Sequence, residues 1–524
     1  MRSALASLRL SILIGSATTL PPVALAAQGG MWGMLAGNPA RSSTAGPGPA
    51  SLATPLWIRD ATPLGDAIEI PTASGVVTDG RRVFALARIA GQHRVVALNA
   101  IDGSVVWTAP AEPPLWDSFS TPALDADHAS LLVASGHTLT AYASKDGGVL
   151  WQTALPAGVV NASPLVTEDR GVADRVFICD DGGAGGAAYL YCINVDPFDA
   201  DLNPYAPGQL VWRAPLDNPS GSTPAYADGM VFVAIATAAY SNGQVLAFPA
   251  GATIAPPPAW TFALDNFQAF FGGVSLKREP GGGLSALAAT YNFSGGPTSS
   301  TLIKLDAASG TLRWSSPCNR TDSMPVAMPD GRIALSGGVA GFGTVPTLQM
   351  FQDNDSSATL LWDTASATWS DANSNGVMDL GEYLLVGGWS HQPALALGPS
   401  PAMLIGSIPT SSAANACTTL SLLDLSLLPA QPGFVRSTFS GAGNSPALSG
   451  SCAFTAGPAG IAAFGPRVDV DADAHLTIDD LYAWHLGLGQ RDVDADGAVT
   501  DADARAILHQ LRQGERRSLL SGRP

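Results

Sequence analysis

The chain has 524 residues, only 13% of them charged, with 57 glycines and 40 prolines. That balance excludes a protein of long helices and favours an all-β chain with many turns. A formal net charge of -17 argues against nucleic acid or an anionic membrane as partner.

Residues 1–26 read as a secretory signal peptide. Arg2 and Arg9 supply the positive charge, "LRLSILIGSA" the apolar core, and "ALA" at 24–26 the cleavage pattern. No cysteine lies near that point, so no lipid anchor is expected there. No later segment reads as a membrane span. The expectation is an exported protein, secreted or periplasmic. Export permits disulfides. Cys179 and Cys192 bracket a glycine-rich turn and are candidates to face each other, with Cys417–Cys452 as a further pair. Connectivity cannot be read from spacing.

A repeat fills most of the chain. An apolar strand, an Asp/Gly turn and a second strand ending in tryptophan recur in "VVALNAIDGSVVW" (95–107), "LTAYASKDGGVLW" (139–151) and "LIKLDAASGTLRW" (302–314). Looser copies end at Trp212, Trp260 and Trp362, and a degenerate one puts Phe434 in the tryptophan position. A small or polar residue followed by proline opens the next strand, as in "STPAL" (120–124), "ASPLV" (162–166), "STPAY" (222–226), "SMPVA" (323–327), "HQPAL" (391–395) and "NSPAL" (444–448). Proline suits the first residue of a strand, where its missing donor costs little. Tryptophans spaced about 44 to 61 residues apart match one four-stranded propeller blade each. The end of the repeat, 444–465, supplies three strands without a final tryptophan strand. "PLWIR", around Trp57, supplies a lone final strand. Joined, they close a ring of about eight blades, which removes exposed sheet edges.

These repeats, with the opening "WGMLAGNPARSSTAG" (32–46), resemble the pyrroloquinoline-quinone-type β-propeller family over residues 32–466. The resemblance implies that each tryptophan packs between neighbouring blades.

Within the repeat, "DANSNGVMDLGE" (371–382) has the ligand spacing of a calcium loop. Asp371, Asn373, Asn375, Val377, Asp379 and Glu382 fall at positions 1, 3, 5, 7, 9 and 12. Val377 offers its backbone carbonyl, and Gly376 stands at the turn position. No helical pattern surrounds it, and "YLLVGGW" after it reads as strand. Its expected role is to fix a long connection between blades, which otherwise costs entropy to order.

Two more such loops close the chain. Asp469, Asp471, Asp473, His475, Thr477 and Asp480 form the first. Asp492, Asp494, Asp496, Ala498, Thr500 and Asp503 form the second. Helical spacing follows each, through Leu481, Trp484 and Leu488, then Ala504, Ile507, Leu508 and Leu511. The duplicated loop and helix at 467–513 resembles a dockerin module, which implies a small all-α calcium-binding domain and a cohesin-like partner. The sequence departs from that pattern at Ala474, where the first loop lacks its glycine. It departs again at Ile478/Asp479 and Asp501/Ala502, where the contact positions lack Ser/Thr pairs. Residues 514–524 read as a disordered tail.

No catalytic set emerges. The seven histidines lack metal spacing, and there is no nucleophile elbow or phosphate loop. The family resemblance raises a pyrroloquinoline-quinone-dependent dehydrogenase as the alternative. No two cysteines are adjacent, as the resemblance implies for the disulfide over that quinone. The expectation is therefore a non-catalytic scaffold that takes up to three calcium ions and binds an unknown protein or glycan through its loops. A second alternative is an accessory protein of polysaccharide degradation.

Overall fold

The computed structural model describes residues 31–520 except 119, 168–172, 183–186, 238–239, 399, 409–416, 471–475, 489–490 and 494–498. Residues 1–26, expected to be a signal peptide, lie outside the described residues.

Eight sheets follow one another around a ring, giving an eight-bladed β-propeller with a few short helices. Blade 1 opens with Val77–Thr78 and ends with Val105–Pro110. Blades 2 to 7 have their inner strands at Ala123–Asp125, Leu165–Val166, Ala225–Ala227, Ser275–Arg278, Val326–Ala327 and Ala394–Ala396. Blade 8 is composite. Ala447–Ser449, Cys452–Gly457 and Gly460–Phe464 come from the end of the ring, and the outer strand Trp57–Arg59 comes from its start. Trp57 pairs antiparallel with Ala463 and Arg59 with Ile461. Both ends of the ring therefore share one sheet.

The core lies between blades, and the tryptophans build it. Trp57 donates its indole Nε1 to the Ala100 carbonyl of blade 1 at 3.0 Å. Trp107 reaches Ser144 of blade 2, and Trp260 reaches Ala307 of blade 5, both at 3.0 Å. In each case the ring lies on a glycine three residues further along the same turn: Gly103, Gly147 or Gly310. At Gly103 the backbone has φ +69°, and a Cβ there would stand 2.5 Å from the Trp57 ring. Only glycine meets both conditions. This is the physical content of the "DGxxxW" repeat.

Blade 7 departs from the sequence reading. The pairing Leu422↔Ser437 is the counterpart of Ala97↔Trp107, so Ser437, not Phe434, holds the tryptophan position. Phe434 precedes the strand and meets Trp362 edge-on at 5.8 Å. Leu52, fully buried, sits beside Ser437 and donates its backbone N–H to the Ser437 hydroxyl.

The residues before the proline-opened strands join neighbouring blades. The Thr121 hydroxyl accepts from Gly75 N, Ser163 from Thr121 N, Thr223 from Ser163 N, and Ser445 from Gln392 N, all at 3.0–3.1 Å. A polar residue is needed there because that amide has no sheet partner.

Blade 6 substitutes charge for the turn carbonyl. Trp314 donates to the Asp353 carboxylate at 3.0 Å. Lys277 and Lys304, two of the chain's three lysines, bind the other Asp353 oxygen at 2.8 and 2.7 Å. Burial pushes the Asp353 carboxyl up, but these hydrogen bonds outweigh it and hold the group at about 2, below its ordinary 3.8. A depressed carboxyl contributes stability that is complete above pH 3.8 and lost as pH falls towards 2. Removing one partner of a buried cluster costs about 3–5 kcal/mol. Asp353→Ala is expected to lower the unfolding free energy by that amount at pH 7 and to flatten the loss of stability between pH 4 and 2. Denaturant melts across pH check both; an unchanged acid limb would contradict the assignment.

Candidate functional site

Strands alternate in direction within each blade. The links between second and third strands, and those from blade to blade, therefore share one end of the ring. This crossover face carries the longest connections and most of the unusual side chains. The connection from Asp363 to Ala394 holds the loop at 371–382.

The short helix α1, Thr364–Thr368, capped by Asp363, precedes that loop. The sequence reading found no helix there. It expected a strand at 383–389, but the segment forms only a bridge from Gly387 to Ser407. The physical reason is direction: the chain must cross from the outer strand of blade 6 to the inner strand of blade 7. Gly387 and Gly388, at φ +80° and +151°, turn it.

The loop draws its polar side chains together. Asp371 accepts from Asn375 N and Gly376 N at 3.0 and 2.9 Å. Asn375 Oδ1 accepts from Val377 N at 2.7 Å. Glu382 Oε1 accepts from Ala372 N and Asn373 N at 3.1 and 3.3 Å. The amides of Asn373 and Asn375 both donate to Asp379 Oδ2, at 2.9 and 2.8 Å, and hold its carboxyl below the usual range. The loop thus carries three carboxylates and two amides, side chains with oxygens of the type that calcium takes. Among the described residues, no group of three or more His, Cys, Asp or Glu side chains is placed to hold a metal ion.

The C-terminal loops repeat one geometry. Asp480 is fully buried and accepts from Val470 N at 2.7 Å and Thr477 N at 2.8 Å. Asp503, also fully buried, accepts from Val493 N at 2.6 Å and Thr500 N at 2.7 Å. Each closing carboxylate thus ties the second loop position to the ninth. Asp469 and Asp492 each bury one carboxylate oxygen. Asp471, Asp473, His475, Asp494, Asp496 and Ala498 lie outside the described residues. Helix α2, Ile478–Leu486, and helix α3, Asp501–Leu520, pack through Trp484 and Ile507 over Val470 and Val493. Leu488 lies past the end of α2 and is exposed. The backbone is helical to Leu520, where the sequence reading expected disorder from 514.

The cysteines do not pair. Cys192 lies opposite Phe177 and Cys179 opposite Leu190, so the expected cross-strand bridge is out of register. None of the five is in a disulfide. His391, which sequence spacing left without a role, has Cys417 Sγ 3.7 Å from its Nδ1. Its Nε2 accepts from Gly406 N at 2.8 Å, so the basic nitrogen is already used. Burial pushes the imidazole down to about 3 and the Cys417 thiol up to about 12. The pair is a neutral packing contact, not a nucleophile and its base.

Sequence reading also missed what fills the channel. Residues Trp32–Ala45 cross it and bond to inner strands of five blades. Trp32 exchanges bonds with Thr78, Gly33 accepts from Leu124 N, Pro39 from Tyr226 N, and Ala40 from Leu276 N. Thr44–Ala45 then pairs in parallel with Ala394–Ala396. Arg41 is fully buried and donates only to the carbonyls of Pro224, Leu35 and Pro164, at 2.8, 2.8 and 3.0 Å. Burial without a carboxylate lowers it to about 9.

What remains on the axis is a cavity of about 20 Å³, room for a water or two. Leu35 of the plug lines it, as do Asp322, Ser390 and Phe271. Beside it, Tyr240, Phe271, Tyr291, Phe293 and Trp389 form one cluster of rings with centroids 5.0–6.2 Å apart. The signal was present in "AFFGG", "TYNFSGG" and "VGGWS". These are aromatics outside the tryptophan register, next to glycines in crossover-face links.

Comparison with known proteins agrees with this architecture. Residues 53–183 match the family described as "Outer membrane protein assembly factor BamB". No curated protein matches the chain. Among solved structures, BamB from Moraxella catarrhalis is 14% identical, with TM-score 0.50 over 75% of this chain and 94% of its own. A europium-containing methanol dehydrogenase is 10% identical, with TM-score 0.54 over 93% and 96%. The quinohemoprotein alcohol dehydrogenase from Comamonas testosteroni is 11% identical, with TM-score 0.54 over 95% and 97%. At these identities the likeness is one of fold. Among the described residues, no helix is long and apolar enough to cross a membrane.

A thiol held near 12 is almost entirely protonated at pH 8. Iodoacetamide is therefore expected to leave Cys417 unlabelled in the folded chain and to label it after denaturation, as peptide mass mapping would show. Rapid labelling of the native chain would reveal an activated thiol instead.

Proposed function

We propose that this is an exported, calcium-binding propeller that acts as a non-catalytic docking scaffold for a protein partner, with the 467–513 module as a dockerin-like attachment. The observation that carries the reading is the crossover face. Trp116, Phe267, Phe293 and Phe342 are 85, 88, 57 and 55% exposed there. Three of the four are phenylalanines without a polar handle, the composition of a protein interface core rather than of a sugar platform. BamB, named as an assembly factor, is built on a similar propeller.

The rival reading, a quinone-dependent dehydrogenase, has less support. The channel is crossed by residues 32–45, and the axial cavity lined by described residues is far smaller than a tricyclic quinone.

Calcium has two roles in this reading. In the loop at 371–382 it would be held by Asp371, Asn373, Asn375, Asp379, Glu382 and the Val377 carbonyl, fixing a connection that borders the docking face. In the terminal module it would join the buried frame set by Asp480 and Asp503, coupling metal binding to folding.

The test uses the mature chain as bait on the envelope and medium of its own cells, beside a Phe267→Ser/Phe293→Ser/Phe342→Ser variant. The wild type should retain a protein that the variant loses at equal melting temperature. Calorimetry on chelator-treated samples should count up to three calcium ions, one fewer after Glu382→Gln. Equal capture by both chains, or alcohol oxidation after adding pyrroloquinoline quinone and calcium, would overturn the reading.

A further inference from the structure

Eight chain segments, one before each inner strand, surround the axial cavity. Asp322 is the single charged residue among those lining it. Its Oδ1 is completely buried and has no hydrogen-bond partner. Ser390, 7% exposed and lining the same cavity, has a buried Oγ likewise without a partner. Both residues line one small space, and buried oxygens are costly unless something donates to them.

The backbone fixes both in place. Asp322 N donates to Trp389 O at 2.7 Å, which ties the aspartate's segment to the one carrying Ser390. Gly272 lies against the Asp322 carbonyl so closely that a Cβ would stand 2.0 Å from it. The site is therefore built by three adjacent crossovers and not by one mobile loop.

The charged neighbours do not satisfy the carboxylate. Arg320 is buried; its two terminal nitrogens donate to the carbonyls of Phe293 and Gly295, its Nε is without a partner, and its guanidinium carbon is 5.7 Å from the Tyr291 ring centre. Tyr291 faces Asp322 and Arg320, and burial pushes its phenol up. Burial likewise pushes the Asp322 carboxyl well above the usual range, with no basic side chain opposing it. Burial thus favours the neutral form of the acid, and an entering cation would favour the carboxylate.

The geometry points to a binding site for a primary ammonium group in the axial cavity, with Asp322 and Ser390 as its acceptors. An –NH₃⁺ head is a compact point charge with three donors. It matches the carboxylate, the hydroxyl and one water or carbonyl in a space of this size. A quaternary ammonium has no donors to offer, and its bulk exceeds the cavity. Phe271 lines the same cavity, and an aromatic ring favours a cation at its face electrostatically. The net charge of -17 raises the local concentration of any cation. To the extent that the carboxyl is protonated, binding replaces that proton: the neutral carboxyl and R–NH₃⁺ become a carboxylate–ammonium pair, and the proton passes to solvent. The inference is independent of the docking role, because a free amine suffices to test it.

The test is calorimetric titration of the full chain with methylammonium chloride and with tetramethylammonium chloride at matched ionic strength. Buffers of differing ionisation enthalpy report the protons released. Nα-acetyl-lysine amide as a third titrant distinguishes a side chain presented by a partner from a small free amine; binding of either supports the site. Methylammonium should bind with net proton release at pH 6. Asp322→Asn should weaken it at least about tenfold, the worth of one charge-assisted hydrogen bond, and abolish the proton release. Ser390→Ala should weaken it less. Because Asp322→Asn removes a buried unpaired acid, its melting temperature should not fall, which separates lost binding from lost fold. No heat with methylammonium or the lysine amide, equal affinity in Asp322→Asn, or equal affinity for tetramethylammonium would each overturn the assignment.

Discussion

An indole laid on a glycine of the next blade is the contact on which this ring depends. Each such contact buries a large apolar surface between sheets that share few backbone bonds. It also satisfies one carbonyl of a tight turn through the indole N–H. Glycine is required twice over, for its left-handed backbone and for the missing Cβ. The contact therefore repeats as a sequence pattern, and where the pattern lapses another group does the same work. Asp353 offers a carboxylate to Trp314, and Leu52 packs at the vacant position beside Ser437.

A ring of blades creates a second problem, the open edges of eight inner strands around an axis. Two devices deal with it. Hydroxyl and amide side chains ahead of the inner strands bond the amide of the preceding blade. The segment from Trp32 to Ala45 then crosses the channel and pairs with five blades. Its cost is local strain, with Ala36, Arg41 and Ser43 all at positive φ. Arg41 repays this by holding three carbonyls on the axis. Among the described residues, the same closure that stabilises the ring leaves a small cavity at Asp322.

Much of this was legible in the sequence because it repeats. The eight blades follow from tryptophan spacing and from the polar-proline strand openings, since both arise from a contact made once per blade. Features that occur once were not legible. Ser437 stands in the tryptophan register with nothing local to mark it, and Phe434 nearby imitates the missing ring. The strand expected at 383–389 satisfied a local pattern but not the radial path the chain must take. The plug, the aromatic cluster and the partnerless oxygens at Asp322 and Ser390 depend on loops from distant blades meeting at the axis, which no spacing rule encodes. The candidate calcium positions are the converse: their spacing is explicit, and the fold adds that the 371–382 loop borders the crossover face.

The account stands on closure between the last and first blades through Trp57 and Gly103. Hydrogen exchange on a Gly103→Val variant tests this most directly. The added side chain should expel the Trp57 ring, and protection should fall together in Trp57–Arg59, Gly460–Phe464 and Gln92–Asn99. Loss confined to the turn at 99–105, with blade 8 still protected, would contradict the account.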